Sequence, residues 1–114
     1  MSAYERATEL VDKLKAAGIA ATLDPRSATP PCVLVTPPGG TYDVNCGYTA
    51  RWQLQALVPG PGNADAFKKL DGLRDEVAGV IEIREFTFGS YALSPDNPPF
   101  PAYRIDFEEA ITWP

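Results

Sequence analysis

From Val44 to Val58 every even position is apolar: Val44, Cys46, Tyr48, Ala50, Trp52, Leu54, Ala56 and Val58. Between them stand Asn45, Gly47, Thr49, Arg51, Gln53, Gln55 and Leu57. Side chains on a strand point alternately to its two faces, so this run predicts one long strand with one face on a core and the other wet or at an interface. Natural strands average about six residues, so one this long is expected to project beyond its own sheet.

A helical period flanks it. Ser2 followed three residues later by Glu5 is a capping-box pattern, in which each side chain satisfies the other's free backbone amide. Tyr4, Ala7, Leu10, Val11 and Leu14 then recur on one face, with Glu9, Asp12, Lys13 and Lys15 on the other, and Gly18 is placed to end the helix as a left-handed cap. Asn63 is a good N-cap for a second helix. Its stripe reads Phe67, Leu70, Leu73, Val77 and Ile81 or Val80, with Gly79 near its end. Gly72 sits inside it at a cost of about 1 kcal/mol relative to alanine, which points to close packing or simple tolerance.

The other apolar runs predict strands in "IAATLDP", "CVLVT", "VIEIREFTF" and "AYRIDFEEAI", the last alternating Tyr103, Ile105, Phe107 and Ile111 against Arg104, Asp106 and Glu108. "RSATPP" reads as a turn, "PPGGTYD" as a loop where the chain reverses, and "GSYALSPDNPPFP" as an irregular excursion. The element order is α-β-β-β-α-β-β. Turn-joined strands give a mostly antiparallel sheet of about four to five strands, with two helices covering one face: an α+β fold, with residues 1–114 as a single domain.

Composition narrows what such a domain does. The net charge of −5 argues against general nucleic-acid binding, which needs a basic stripe to displace counterions from phosphates. No apolar run approaches the roughly 20 residues that span a bilayer. The opening "MSAYERATEL" carries charge where a secretion signal needs an apolar stretch, so no signal is expected. Cys32 and Cys46 lack the spacing of a metal pair and read as reduced core residues. A hairpin centred on Gly39 would set them opposite each other, where oxidation after lysis is conceivable.

The stretch "ALVPGPGNADAFKKL" raises the question of a phosphate cradle, which works by aiming successive backbone N–H groups into one concavity at a helix start. Pro59 and Pro61 have no N–H, the position three after Gly62 is Asp65 rather than glycine, and no Gly-Lys-Ser or Gly-Lys-Thr occurs. Asp65 would itself occupy the positive end of the helix dipole. This loop reads as a stiff corner. The sequence has no histidine, which removes Ser-His-Asp triads and the usual general base. Glu108 and Glu109 are adjacent on a strand and so face opposite ways, a poor arrangement for paired acid–base work. Asp71 and Asp75 share a helical face that reads as solvated. No catalytic, cofactor-binding or metal-ligating set is expected.

The capped first helix, the long alternating strand ending in "LQALVPGPGNADAFKKLDGL" and the closing "PPFPAYRIDFEEAI" together resemble the tail terminator proteins of long-tailed bacteriophages, especially those infecting actinobacteria. The resemblance spans nearly the whole chain. It implies a small α+β subunit that assembles into a hexameric ring, caps the tail tube, ends its polymerisation and presents the surface to which the head attaches. The implied partners are further copies of the chain, the tail-tube protein and a head-completion protein. The implied location is the virion tail, after assembly in the reducing cytoplasm of the bacterial host. DNA would pass through the lumen unbound, which an acidic wall favours.

In that setting the wet strand face of Thr49, Arg51, Gln53 and Gln55 is a candidate subunit interface, with an ordinary solvent face as the alternative. Tyr42, Tyr91 and Phe100 lie in long loops and are aromatic, the type enriched at interface cores; packing onto their own domain is the alternative. Trp113 reads as a plug at the rim of the core or a docking side chain. The competing class is a monomeric or dimeric ferredoxin-like module that binds a ligand or regulates, which would carry a concave apolar pocket.

Overall fold

The computed structural model describes residues 2–43, 47–60 and 64–112. Helix α1 (Ala3–Ala16) begins as its cap dictates: Ser2 Oγ accepts the Glu5 N–H at 3.1 Å and donates to Glu5 Oε1 at 3.2 Å. It ends at Gly18, whose φ of 85° is reached at little steric cost only by glycine. There the Gly18 and Ile19 N–H groups close onto the Lys15 and Leu14 carbonyls, both at 3.0 Å, satisfying two otherwise free acceptors. Ala7, Leu10, Val11 and Leu14 are buried, but Tyr4 is exposed: the first turn lies over Pro37 and Pro38, a break in the sheet that leaves the ring little to pack on.

Among the described residues the sheet has six strands, not four or five. They are β1 (Ala21–Thr22), β2 (Cys32–Val35), β3 (Gly39–Asp43), β4 (Gly47–Leu57), β5 (Glu85–Tyr91) and β6 (Phe100–Thr112), with α2 (Ala64–Ala78) between β4 and β5. The order across the sheet is β1-β2-β4-β6-β5, and β3 pairs with β4 on the side that β2 occupies further along. All pairings are antiparallel except β1 with β2. The architecture is therefore α+β, a mixed sheet with two helices over one face.

The extra strand is β3, where the Gly-Gly pair and flanking prolines suggested a loop. Pairing with the long β4 overrides that local preference. Val35 lies opposite Leu54 and Gly39 opposite Arg51, so three residues of one chain face two of the other, and Thr36-Pro37-Pro38 form a kink in what is otherwise one continuous arm. Strands β3 and β4 pair from Gly39 with Arg51 to Asp43 with Gly47, so Gly39 lies within a paired strand and is not the centre of a hairpin. Cys32 accordingly stands opposite Leu57 and not opposite position 46, where a hairpin centred on Gly39 would have set it. Val44, Cys46, the helix cap Asn63, the corner residues Pro61 and Gly62, and Trp113 lie outside the described residues.

The predicted strand from Val80 starts later, at Glu85, because Val80 and Ile81 finish α2: both N–H groups bond the Val77 carbonyl at 2.9 Å. It also runs further, taking Gly89 to Tyr91 from the supposed excursion.

Even positions of β4 and odd positions of β6 meet the helices. Trp52, opposite Phe107 and stacked on it with centroids 6.2 Å apart, has no solvent exposure and joins Leu54, Ile105, Leu10, Leu14 and Leu70 in the main core. In α2 the buried set is Ala66, Leu70 and Val77. Phe67 is 56% exposed, since the small Ala66 rather than the ring points to the sheet. A Cβ on Gly72 would have nothing within 4 Å, so that glycine is tolerated rather than required. The opposite face carries a smaller cluster, Cys32, Leu34, Leu57 and Ala102, under Ala28, Tyr91, Leu93 and Phe100.

Candidate functional site

On the helix side one position breaks the alternation. Glu109 lies between Phe107 and Ile111, opposite Ala50, where the pattern calls for an apolar residue. Its carboxylate accepts from Arg6 Nε at 2.8 Å and Arg6 Nη2 at 3.0 Å, and from Trp52 Nε1 at 3.0 Å. Arg6 also meets Glu9 at 3.1 Å. The Glu109 carboxylate raises the Arg6 pKa above its ordinary value, with burial acting the other way. The signal for this clamp was present in the sequence as a carboxylate in an inward register, read there only as pointing away from Glu108.

The clamp lies in a groove of about 600 Å³ between α1, the segment after α2 and β6, floored by Leu10, Ile81 and Phe107. Two of its arginines are paired within it, Arg6 with Glu109 and Arg84 Nη1 with Glu108 at 2.8 Å, and Lys13 and Glu82 also line it. Among the described residues no group of three His, Cys, Asp or Glu side chains is placed to hold a metal ion, and no helix is long and apolar enough to cross a membrane. Cys32 is buried, and that burial pushes its thiol pKa up, so it is held as a neutral core group rather than a nucleophile.

The four polar β4 positions do not share one environment. Arg51 and Gln53 are exposed and Thr49 is half-buried, but Gln55 is only 9% exposed, because the loops over residues 24–31 and 92–100 close that end of the face. Arg51 Nη1 donates to Thr41 Oγ1 at 3.1 Å and stands opposite Glu108. With Arg84, Glu85, Arg104 and Asp106 they make a mixed-sign lattice on the open end of the sheet. Tyr91 and Phe100, opposite each other at the start of the β5–β6 pairing, are half-buried against the smaller cluster. Tyr42 is 78% exposed, edge-on to Tyr48 at 5.8 Å. The structure thus brings Thr49, Arg51 and Gln53 together, seats Gln55, Tyr91 and Phe100 at the covered end, and sets Tyr42 on the helix side.

A long exposed strand was not singled out by sequence. Strand β5 is an edge strand whose residues from Glu85 to Ser90 are exposed on both faces. Phe86 and Phe88 project on the helix side, each edge-on to Tyr103, at 5.4 and 5.9 Å, and Arg74 lies 4.4 Å over the Phe86 ring. Helix α2 covers β6 and stops short of this outer strand. The clue lay in "EFTFGS", which alternates like a strand with aromatics on one face and carries no lysine or proline to blunt it.

No protein-family model, curated protein or solved structure matches the chain.

Proposed function

We propose that this chain is a structural subunit that acts by joining copies of itself edge to edge, as the tail terminator of a long-tailed bacteriophage: a ring that caps the tail tube, ends its growth and receives the head. The reading carries no catalytic step, in keeping with a chain that has no histidine and whose groove carboxylates Glu108 and Glu109 are engaged by arginines. The observation that carries it is β5, a seven-residue strand left open at the margin of the sheet with two exposed phenylalanines. Open edges of that kind are templates for pairing with another chain, and proteins that stay monomeric blunt them. A ring of copies, each with a net charge of −5, also suits a channel that DNA must traverse without adhering.

The test is polymerisation of the tail-tube protein encoded in the same phage genome, followed by electron microscopy with and without this chain. Addition is expected to halt growth and leave a ring at one tube end. Tubes that lengthen unchanged, with no added density at either end, would contradict it.

A further inference from the structure

A closed ring needs head-to-tail contacts, in which one surface meets a different surface of the next copy; a two-fold contact stops at a pair. Among the described residues the sheet has two unblunted open edges, at opposite margins. One is β5. The other is β3, whose residues Gly39 to Tyr42 are exposed and which no other strand among the described residues covers on its outer side. Neither strand contains lysine, arginine or proline. The margin at β1 is different, only two residues long, the short form that discourages pairing.

We propose that β5 of one copy adds as an antiparallel strand to β3 of the next, with Phe88 opposite Tyr42, a joint that rests on the ring function proposed above. The direction follows from topology. Within one copy β3 and β6 run the same way and β5 runs against β6, so a sheet continued into the next copy with its helices on the same side sets β5 antiparallel to that copy's β3. The register follows from side-chain parity and charge. Phe88 and Tyr42 both lie on the helix side, so pairing them keeps every rung on its proper face, whereas a one-residue slip inverts all of them. Tyr91 then stands opposite Gly39, a glycine whose bare backbone gains from an aromatic neighbour. Sliding β5 by two residues one way sets Glu85 opposite Asp43, two like charges that destabilise a directly opposed pair. Sliding it the other way removes Phe88 from Tyr42.

Two variants with complementary single cysteines test the joint, each in a Cys46→Ser background; Cys32 is buried and stays silent. Gly89 and Thr41 come opposite each other in this register, and a side chain at Gly89 meets nothing within 4 Å. Gly89→Cys and Thr41→Cys, mixed at millimolar concentration under mild oxidation, are expected to give a two-chain disulfide product absent from either alone. The double variant is expected to give a ladder of longer products. Thr87→Cys with Asp43→Cys repeats the test two residues along and serves if the first pair perturbs folding. A two-chain product from Gly89→Cys alone shows β5 pairing with itself and overturns the proposal, as does a mixture with no product for both pairs. Cross-linked assemblies that fail to halt tube growth count against the terminator function and leave the joint standing; tubes halted without cross-linking do the reverse.

Discussion

Replacing Glu109 by alanine probes a charged group set at the border of the helix-side core. The deletion leaves the Trp52 indole N–H, on a ring with no solvent exposure, without its 3.0 Å acceptor. An orphaned buried donor costs about 1–3 kcal/mol. Arg6 loses a two-pronged partner and keeps Glu9 at 3.1 Å. Removing one partner of a fully buried ion pair costs about 3–5 kcal/mol, but these side chains are 22% and 23% exposed, so water recovers part of it. Together the expectation is about 3 kcal/mol, and at about 4–6 °C per kcal/mol for a domain of this size a fall in Tm near 15 °C. Glu109→Gln keeps an acceptor for Trp52 and loses only the charge, so about 1 kcal/mol is expected. Urea unfolding followed by far-ultraviolet circular dichroism reads these values, and a double-mutant cycle with Arg6→Ala isolates the pair. Glu108→Ala, on the exposed face, is the control and should cost less than about 1 kcal/mol. The reasoning fails if Glu109→Ala is no worse than that control, or if glutamine costs as much as alanine.

Three further outcomes follow from particular sites. Gly47 has a φ of 139°, and a Cβ there would collide with the Ile111 carbonyl, so Gly47→Ala should lower stability by at least about 2 kcal/mol in the same assay, the combined effect of backbone strain and displacement of β6. Gly72 lies in mid-helix with open space at its Cβ, so Gly72→Ala should raise stability by about 0.5–1 kcal/mol; a loss would reveal a contact that the backbone does not show. Because burial raises the Cys32 pKa, the folded chain holds that proton to higher pH than the unfolded chain does, and its contribution to stability, full below the ordinary thiol pKa, declines as pH climbs through the raised value. Unfolding measured from pH 7 upward should therefore lose stability more steeply for the wild type than for Cys32→Ala, and parallel curves would refute it.

What could be read from sequence was what local chemistry decides. The Ser2 cap, the Gly18 cap and the β4 strand are each set by neighbours a few residues apart, and each is present. Glu5, however, meets the Ser2 hydroxyl instead of its backbone N–H, and the β4 alternation gives way to burial on both faces from Leu54 to Leu57. What escaped depends on distant partners. Gly39–Asp43 has the composition of a loop and is a strand only because β4 lies beside it. Tyr4 and Phe67 obey the helical period yet stay exposed, because periodicity names a face and not where the sheet beneath it ends. The β4 polar row looked uniform, but loops distant in sequence bury Gln55 and leave Arg51 and Gln53 open. Glu109 shows most clearly how a break in alternation marks a specific partner: its register was legible, but Arg6 lies 103 residues away. For the same reason β5 read simply as a strand, since nothing local reports that α2 stops short of it.

Sedimentation velocity over a wide range of protein concentration, comparing the wild type with Phe86→Ser/Phe88→Ser, tests most directly whether this molecule works through its open edges. The wild-type chain of 12.3 kDa should convert with rising concentration into one discrete, closed species of higher mass, while the double variant, with an unchanged circular dichroism spectrum, remains a monomer. Identical sedimentation of the two at every concentration, whether both as monomers or both assembled, would contradict it.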